Sequence, residues 1–178
     1  QPANGDRPEP EAIARDLALL SGVTQRLRSY SMLEMPELPA LATRAGMTLA
    51  LGVWLAADDA ANERELVAGL AAARAQPGVE RLIVGNETQL QARVPLPQLI
   101  RFLDRARAAS RVPVSTAEPW HVWLQHPELA AHVDFITVHL LPYWEAVPAA
   151  RAVDVALARW HEVAARFPGK PVVIGEIG

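Results

Sequence analysis

Residues 81–85 (RLIVG), 133–141 (VDFITVHLL) and 171–175 (PVVIG) are almost unbroken apolar runs, and they constrain this chain's fold more than any other feature. A strand with one wet face alternates apolar and polar residues. A short continuous run is expected to be buried on both faces, as parallel strands covered by helices are. Parallel strands need long crossovers, and the segments between the runs have the spacing of helices.

Read from the start, the chain repeats one rhythm. A helix is expected over 9–20, stopped by Ser21-Gly22, then a strand over 23–30. A short helix over 36–45 closes at Gly46, and a strand over 48–55 carries Trp54. Asn62 with Glu65 three residues on reads as a capping box that opens a helix ending at Pro77-Gly78. A strand over 79–85, a helix over 96–109 and a strand over 112–117 follow. Then come an aromatic loop, a short helix near 127–131 and a strand over 132–141. A helix over 149–167 and a strand over 171–177 complete the pattern. Six strands with five intervening helices leave two architectures: an open doubly wound sheet, or a (β/α)8 TIM barrel lacking some of its units. No GxGxxG or GxxxxGK[ST] occurs, which removes the nucleotide-binding form of the open sheet.

The 178 residues suit one domain, 1–178, with a sizeable core. A mixed net charge of −3 and no basic cluster argue against nucleic acid as a partner. The absence of cysteine removes disulfides, thiolate chemistry and cysteine metal sites. The five histidines lack HExxH or comparable spacing, so no metal is expected. No apolar run has the length of a membrane span, and the first ten residues lack the features of a signal peptide; any targeting segment is expected outside this chain.

In either architecture ligands bind at the carboxyl ends of the strands. Those ends carry Arg28 and Tyr30, then Trp54, then Asn86-Glu87, then Glu118, Trp120 and Trp123. His139 lies just before the next end, with Tyr143, Trp144 and Glu145 after it, and the last strand ends in Gly175-Glu176. The opposite ends begin with small turns. Aromatic faces pack well on the C–H faces of sugar rings, and no basic cluster for phosphate accompanies them, so carbohydrate is the better substrate class. Two glutamates on separate strand ends suit glycosidic bond cleavage, one protonating the leaving oxygen while the other attacks the anomeric carbon or activates water. A retaining pair should stand about 5–5.5 Å apart, with the acid's pKa raised and the nucleophile's normal or low. Taken alone, Asn86-Glu87 also reads as a helix cap and the final GEIG as a tight turn.

These residues resemble the large clan of retaining (β/α)8 glycosidases, which places its acid/base after barrel strand 4 and its nucleophile after strand 7. Glu87 closes the third visible strand and Glu176 the sixth, so the interval of three strands matches if the first barrel strand is absent from this chain; the resemblance implies that the last strand is absent as well. More narrowly, GDRPEPEAIARDLALL, RLRSYS, LGVWL, LIVGNE, VSTAEPWHVW, VDFITVHLLPYW and PVVIGEIG resemble the bacterial branch of glycoside hydrolase family 17. The resemblance implies a β-1,3-glucanase or β-1,3-glucanosyltransferase without metal or organic cofactor. It implies Glu87 as acid/base, Glu176 as nucleophile and Asn86 as a sugar-binding neighbour. Arg28 and Tyr143 are implied as partners of the nucleophile, and Glu118, Trp120 and Trp144 as lining of the sugar subsites; Tyr30 and His139 are further substrate-site candidates by position. It also implies a periplasmic or extracellular location and attachment to a larger membrane-bound glucan synthase. A glucan-binding barrel without catalysis would use the same aromatics and would not require both glutamates.

Overall fold

The computed structural model describes residues 7–178. Helix α1 (Pro10–Leu20) is followed by β1 (Arg26–Arg28), α2 (Leu38–Arg44), β2 (Thr48–Val53), α3 (Asp59–Ala75) and β3 (Val79–Asn86). Then come α4 (Leu96–Ala109), β4 (Val114–Pro119), α5 (Trp120–Gln125), a 3-10 helix (Pro127–His132), β5 (Ile136–Leu140), α6 (Ala149–Arg166) and β6 (Val172–Ile177). The strands pair in parallel in the order β1-β2-β3-β4-β5-β6.

That order decides between the two architectures. A doubly wound sheet reverses its strand order at a switch point, and here there is no reversal. Successive right-handed crossovers in one direction put the helices on one face and curl the sheet about the other. The curl is visible in a single side chain: Arg28 on β1 donates from Nη1 to the Gly175 carbonyl at 2.9 Å and to Glu176 Oε1 at 3.0 Å on β6. The two outermost strands of the sheet therefore face one another across its concave side. The described residues form a curled half-barrel of six parallel strands.

Side chains divide between the two faces with the period of two that a strand imposes. Leu49, Leu51, Val53, Leu82 and Val84 join the main core beneath the helices, together with Leu99, Leu103 and Trp123. Ile83, Ala117 and Phe135 form a smaller cluster with Ala50 and Val173. The runs in β3 and β5 are buried as expected, but β6 is not; Ile174 is 41% and Ile177 64% exposed. Among the described residues its only strand neighbour is β5, which leaves the apolar PVVIG run half open.

Three local expectations need correction. The first strand is shorter than 23–30, because residues 21–25 form turns and Val23 is 86% exposed. Trp120 to Gln125, read as loop, form α5. The capping box at Asn62 and Glu65 does not exist. Helix α3 begins one turn earlier, and Asp58 caps it by accepting from the amides of Ala60 and Ala61. Asn62 is buried and holds both the amide and the carbonyl of Ala56 at 2.8 Å.

Glu65 is freed for another task. Its buried carboxylate accepts from the amides of Met32 (2.9 Å), Leu33 (3.2 Å) and Trp54 (3.3 Å) and from the Ser31 hydroxyl. One side chain on α3 thereby fixes the loops that leave β1 and β2. Glu118, at the end of β4, repeats the device. It has no exposed surface, and its two oxygens accept from the amides of Gln89 (2.7 Å) and Leu90 (3.2 Å) in the loop after β3. Glu118 was expected to line a sugar subsite. Complete burial takes it off any wall a sugar could touch and makes it the pin of its neighbour's loop.

Both pins have measurable consequences. Glu65→Ala leaves three backbone amides without partners in the interior and should cost on the order of 3 kcal/mol of unfolding free energy, read by urea denaturation. Burial pushes the Glu118 carboxyl up from 4.5 to about 7, against the backbone N–H bonds, which pull it down. An acid whose folded pKa is raised binds more protons in the native than in the unfolded chain between those two values. Stability should therefore fall as pH rises from 4.5 to 7, by up to about 3 kcal/mol for this group. Glu118→Gln should flatten that slope in thermal melts, and an unchanged slope in the variant would contradict the assignment.

Candidate active site

The carboxyl ends of β3, β5 and β6 bring Glu87, His139 and Glu176 together. One donor atom from each lies within 4.8 Å of the other two. The register pairs His139 on β5 directly with Glu176 on β6, so two residues distant in sequence share one height on the sheet.

Glu176 is held through one oxygen. Its Oε1 accepts from Arg28 Nη1 at 3.0 Å and from the Tyr30 hydroxyl at 3.1 Å. Among the described residues no hydrogen bond reaches its Oε2, and the side chain is 29% exposed. The carboxylate is thus oriented by one atom and open through the other. Tyr30 reaches it because residue 52 is glycine. A Cβ there would stand 2.3 Å from the Tyr30 carbonyl group, so any side chain at 52 would displace the loop carrying Tyr30. Partial burial and the neighbouring Glu176 carboxylate raise the Tyr30 phenol, which keeps it a donor. Arg28 also donates from Nη2 to Asn86 Oδ1 at 2.6 Å. With its oxygen taken, Asn86 has its amide N–H groups left to offer.

Glu87 stands in the left-handed region with φ 50°, a conformation that costs a non-glycine residue of order 1–3 kcal/mol and persists only where the surroundings hold it. Several contacts do so. Its amide donates to the Ala117 carbonyl at 2.8 Å, its Oε1 lies 3.0 Å from His139 Nδ1, and its Oε2 accepts from Gln91 Nε2 at 3.2 Å. Gln91 is itself held by Arg93 Nε at 2.8 Å, and the Arg93 guanidinium lies 4.3 Å from the Trp54 ring centre. Trp54 thus packs under this loop rather than in the core.

Of the residues singled out in the sequence, Arg28, Tyr30, Asn86, Glu87, His139 and Glu176 converge. The others divide. Tyr143, expected to partner the nucleophile, is 74% exposed and makes no side-chain hydrogen bond to Glu176; Tyr30 supplies that hydroxyl instead. After β5 the chain turns tightly through 142–147, with Ala146 at φ 56°, and this carries Tyr143 and Trp144 out to the rim, where their rings meet edge to face at 5.2 Å. Trp144 lines a cleft of about 310 Å³ with Glu87, Leu90, His121, His139 and Glu145. Trp120, expected at a sugar subsite, donates from Nε1 to Glu145 at 2.7 Å, and the Arg159 guanidinium lies 4.0 Å from its ring centre, so both its polar edge and a face are engaged within the protein. His121 and Glu145 were placed at the strand ends without a role, and Gln91 went unnoticed in the sequence. The signal that Gln91 carried was its place four residues after Glu87 on a tight loop.

An oriented carboxylate with one free oxygen, facing a second carboxyl group within 4.8 Å, is equipped to act on two sides of one bond. Comparison with solved structures gives the same family of folds. The crystal structure of the glycoside hydrolase family 17 β-1,3-glucanosyltransferase from Rhizomucor miehei is similar with a TM-score of 0.84 at 23% identity, over 96% of this chain and 66% of that one. An active-site mutant of the Rhizomucor miehei enzyme in complex with laminaritriose is similar with a TM-score of 0.85 at 24% identity and the same coverage. A glycosyl hydrolase family 2 member from Bacteroides cellulosilyticus gives 0.69 at 16% identity, over 94% of this chain and 22% of that one. The chain therefore spans about two thirds of the glucanosyltransferase structures, and at these identities the likeness is one of fold. No curated protein sequence matches the chain. The family model of the BtgE/BtgC glycoside hydrolase domain matches residues 1–178, so the chain belongs to the BtgE/BtgC glycoside hydrolase domain family.

Proposed function

We propose that the chain carries the catalytic site of a retaining glycosidase or transglycosylase that acts on β-1,3-glucan by double displacement. The observation that carries this reading is the setting of Glu176, whose Oε1 is fixed by Arg28 and Tyr30 while no hydrogen bond among the described residues reaches Oε2, with one oxygen of Glu176 and one of Glu87 within 4.8 Å of each other. A retaining pair stands close because one carboxylate bonds directly to the sugar. An inverting pair stands about 6.5–9.5 Å apart to admit a water.

In this reading Glu176 Oε2 attacks the anomeric carbon while Glu87 protonates the departing oxygen, and a glycosyl ester forms on Glu176. Glu87 then takes a proton from the water or sugar hydroxyl that attacks the ester. Arg28 and Tyr30 disperse the charge of the attacking carboxylate, and Asn86, oriented by Arg28, offers N–H groups to a sugar hydroxyl. Trp144 on the rim of the cleft presents an open ring face to a sugar unit beyond the acid/base. The Rhizomucor miehei complex with laminaritriose supports a β-1,3-linked oligosaccharide as the substrate class. The half-barrel is read as part of an eight-stranded barrel, and a periplasmic or extracellular location belongs to the same proposal on the strength of the family 17 resemblance.

The test is the product of a defined laminari-oligosaccharide, followed by proton NMR and mass. Retention gives the β-anomer first, and transfer gives products longer than the substrate. An α-anomer formed first would contradict the reading, and an unaltered oligosaccharide that still binds would favour a glucan-binding barrel. Glu87→Gln should lower kcat by about 10²–10⁴, and Glu176→Gln should abolish turnover while the fold is kept. Tyr30→Phe removes one hydrogen bond to a charged group and should lower kcat/KM by about ten- to a hundredfold. Tyr143→Phe should cost less.

A further inference from the structure

Resting on the roles just proposed for Glu87 and Glu176, we propose that His139 is a positioning residue that decides which carboxyl group holds the proton. Its Nε2–H supports ionised Glu176, and its Nδ1 lone pair accepts from protonated Glu87.

The ring has no exposed surface and lies between the two carboxyl groups, with Nδ1 in hydrogen-bond contact with Glu87 Oε1 at 3.0 Å, and Nε2 3.4 Å from Glu176 Oε1, a charge contact that makes no hydrogen bond. Residue 175 is glycine where this ring needs room. A Cβ there would sit 3.1 Å from His139 Cδ2, 3.2 Å from Nε2 and 2.6 Å from Thr137 Cγ2. The charged and titratable groups around the ring are Glu87 from β3, Glu176 from β6 and Arg28 from β1, with Tyr30 on the far side of Glu176. Burial, aided by Arg28, holds the imidazole below its ordinary value against the pull of the two carboxylates. A neutral ring has one N–H and one lone pair to divide between two neighbours.

The neighbours are unequal. Glu176 Oε1 already accepts from Arg28 and Tyr30, as an anion would. A lone pair on Nε2 would face that anion and be repelled, whereas an N–H there is attracted. The ring proton therefore belongs on Nε2, and the lone pair falls to Nδ1. A 3.0 Å contact from a lone pair to Glu87 Oε1 requires the proton to be on Glu87. One neutral ring thus gives the two carboxyl groups unlike neighbours, a lone pair beside Glu87 and an N–H beside Glu176.

The protons balance through both steps. In the first, the Glu87 O–H bond breaks, an O–H bond forms on the departing sugar oxygen, and Glu176 bonds to the anomeric carbon as the glycosidic bond breaks. Glu87 is left as a carboxylate facing a lone pair, which makes it the stronger base. In the second, it takes the proton of the attacking hydroxyl as the ester bond to Glu176 breaks, and the resting state returns.

Nitrogen-15 NMR of the protein labelled in histidine reads the tautomer directly, with the His139 signals identified by their loss in His139→Asn. A neutral ring protonated on Nε2 is expected at pH 6–7; protonation on Nδ1, or an imidazolium, would overturn the proposal. The pH profile of kcat/KM gives the second reading. In folded His139→Gln and His139→Asn the acid limb should move up and the alkaline limb down, each by about one pH unit. On an aryl glycoside whose leaving group needs no acid, only the acid-limb shift should persist. A uniform fall in kcat with both limbs unmoved would mark a merely structural role and overturn the proposal. A wild-type protein inactive on every glycoside would defeat the functional reading instead, and the NMR measurement would still report the ring.

Discussion

The fork of Arg28 is the contact on which the site depends. From β1 it reaches the Gly175 carbonyl and Glu176 Oε1 on β6, and Asn86 Oδ1 on β3, so one guanidinium ties three strand ends together. Arginine suits this task because its planar fork fixes several acceptors at once and keeps its charge at any working pH. The contact can form only if the sheet curls until its first and last strands face each other. Fold and site are therefore not separate facts. The curl that parallel strands in unbroken order produce is also what sets a carboxylate beside the cation that orients it.

Around that fork the protein uses one device twice. A buried glutamate at a strand end or on a helix accepts the amides of a neighbouring loop, and the loop then carries a functional group. Glu65 holds the loop from which Tyr30 reaches Glu176, and Glu118 holds the loop that follows Glu87. The left-handed backbone at Glu87 is affordable because this loop is pinned at Gln89 and Leu90 and because Gln91 and His139 hold its carboxyl oxygens. Strand ends supply height, and pinned loops supply direction. The rim is different in kind. Tyr143 and Trp144 are open rings without such anchors, suited to contact with a ligand and not to holding the reacting groups.

How much of this the sequence disclosed follows from what kind of signal each part leaves. Parallel strands between helices leave apolar runs and turn residues, so the strand count was legible, whereas the strand order, and with it the convergence of Glu87 and Glu176, was expected only from the family resemblance. The exposure of β6 was not legible because, among the described residues, it pairs with β5 alone, and hydrophobicity does not count a strand's neighbours. Asn62 and Glu65 have the spacing of a capping box, and nothing local distinguishes that from two buried acceptors serving other loops. Glu118 was misplaced for the same reason. A carboxylate at a strand end looks alike from sequence whether it faces the cleft or turns back into the protein. The exchange of Tyr143 for Tyr30 depends on Gly52 letting a loop pass and on the turn after β5, both of which are tertiary facts.

The central claim is that Glu176 bonds to the sugar through its free oxygen. A laminaribiosyl fluoride with fluorine at C2 slows release of such an ester and so traps it, and peptide mass spectrometry then locates the label. The account expects one sugar adduct per protein on Glu176, lost in Glu176→Gln. A label on a different residue, or turnover of the reagent with inverted configuration and no adduct, would contradict it.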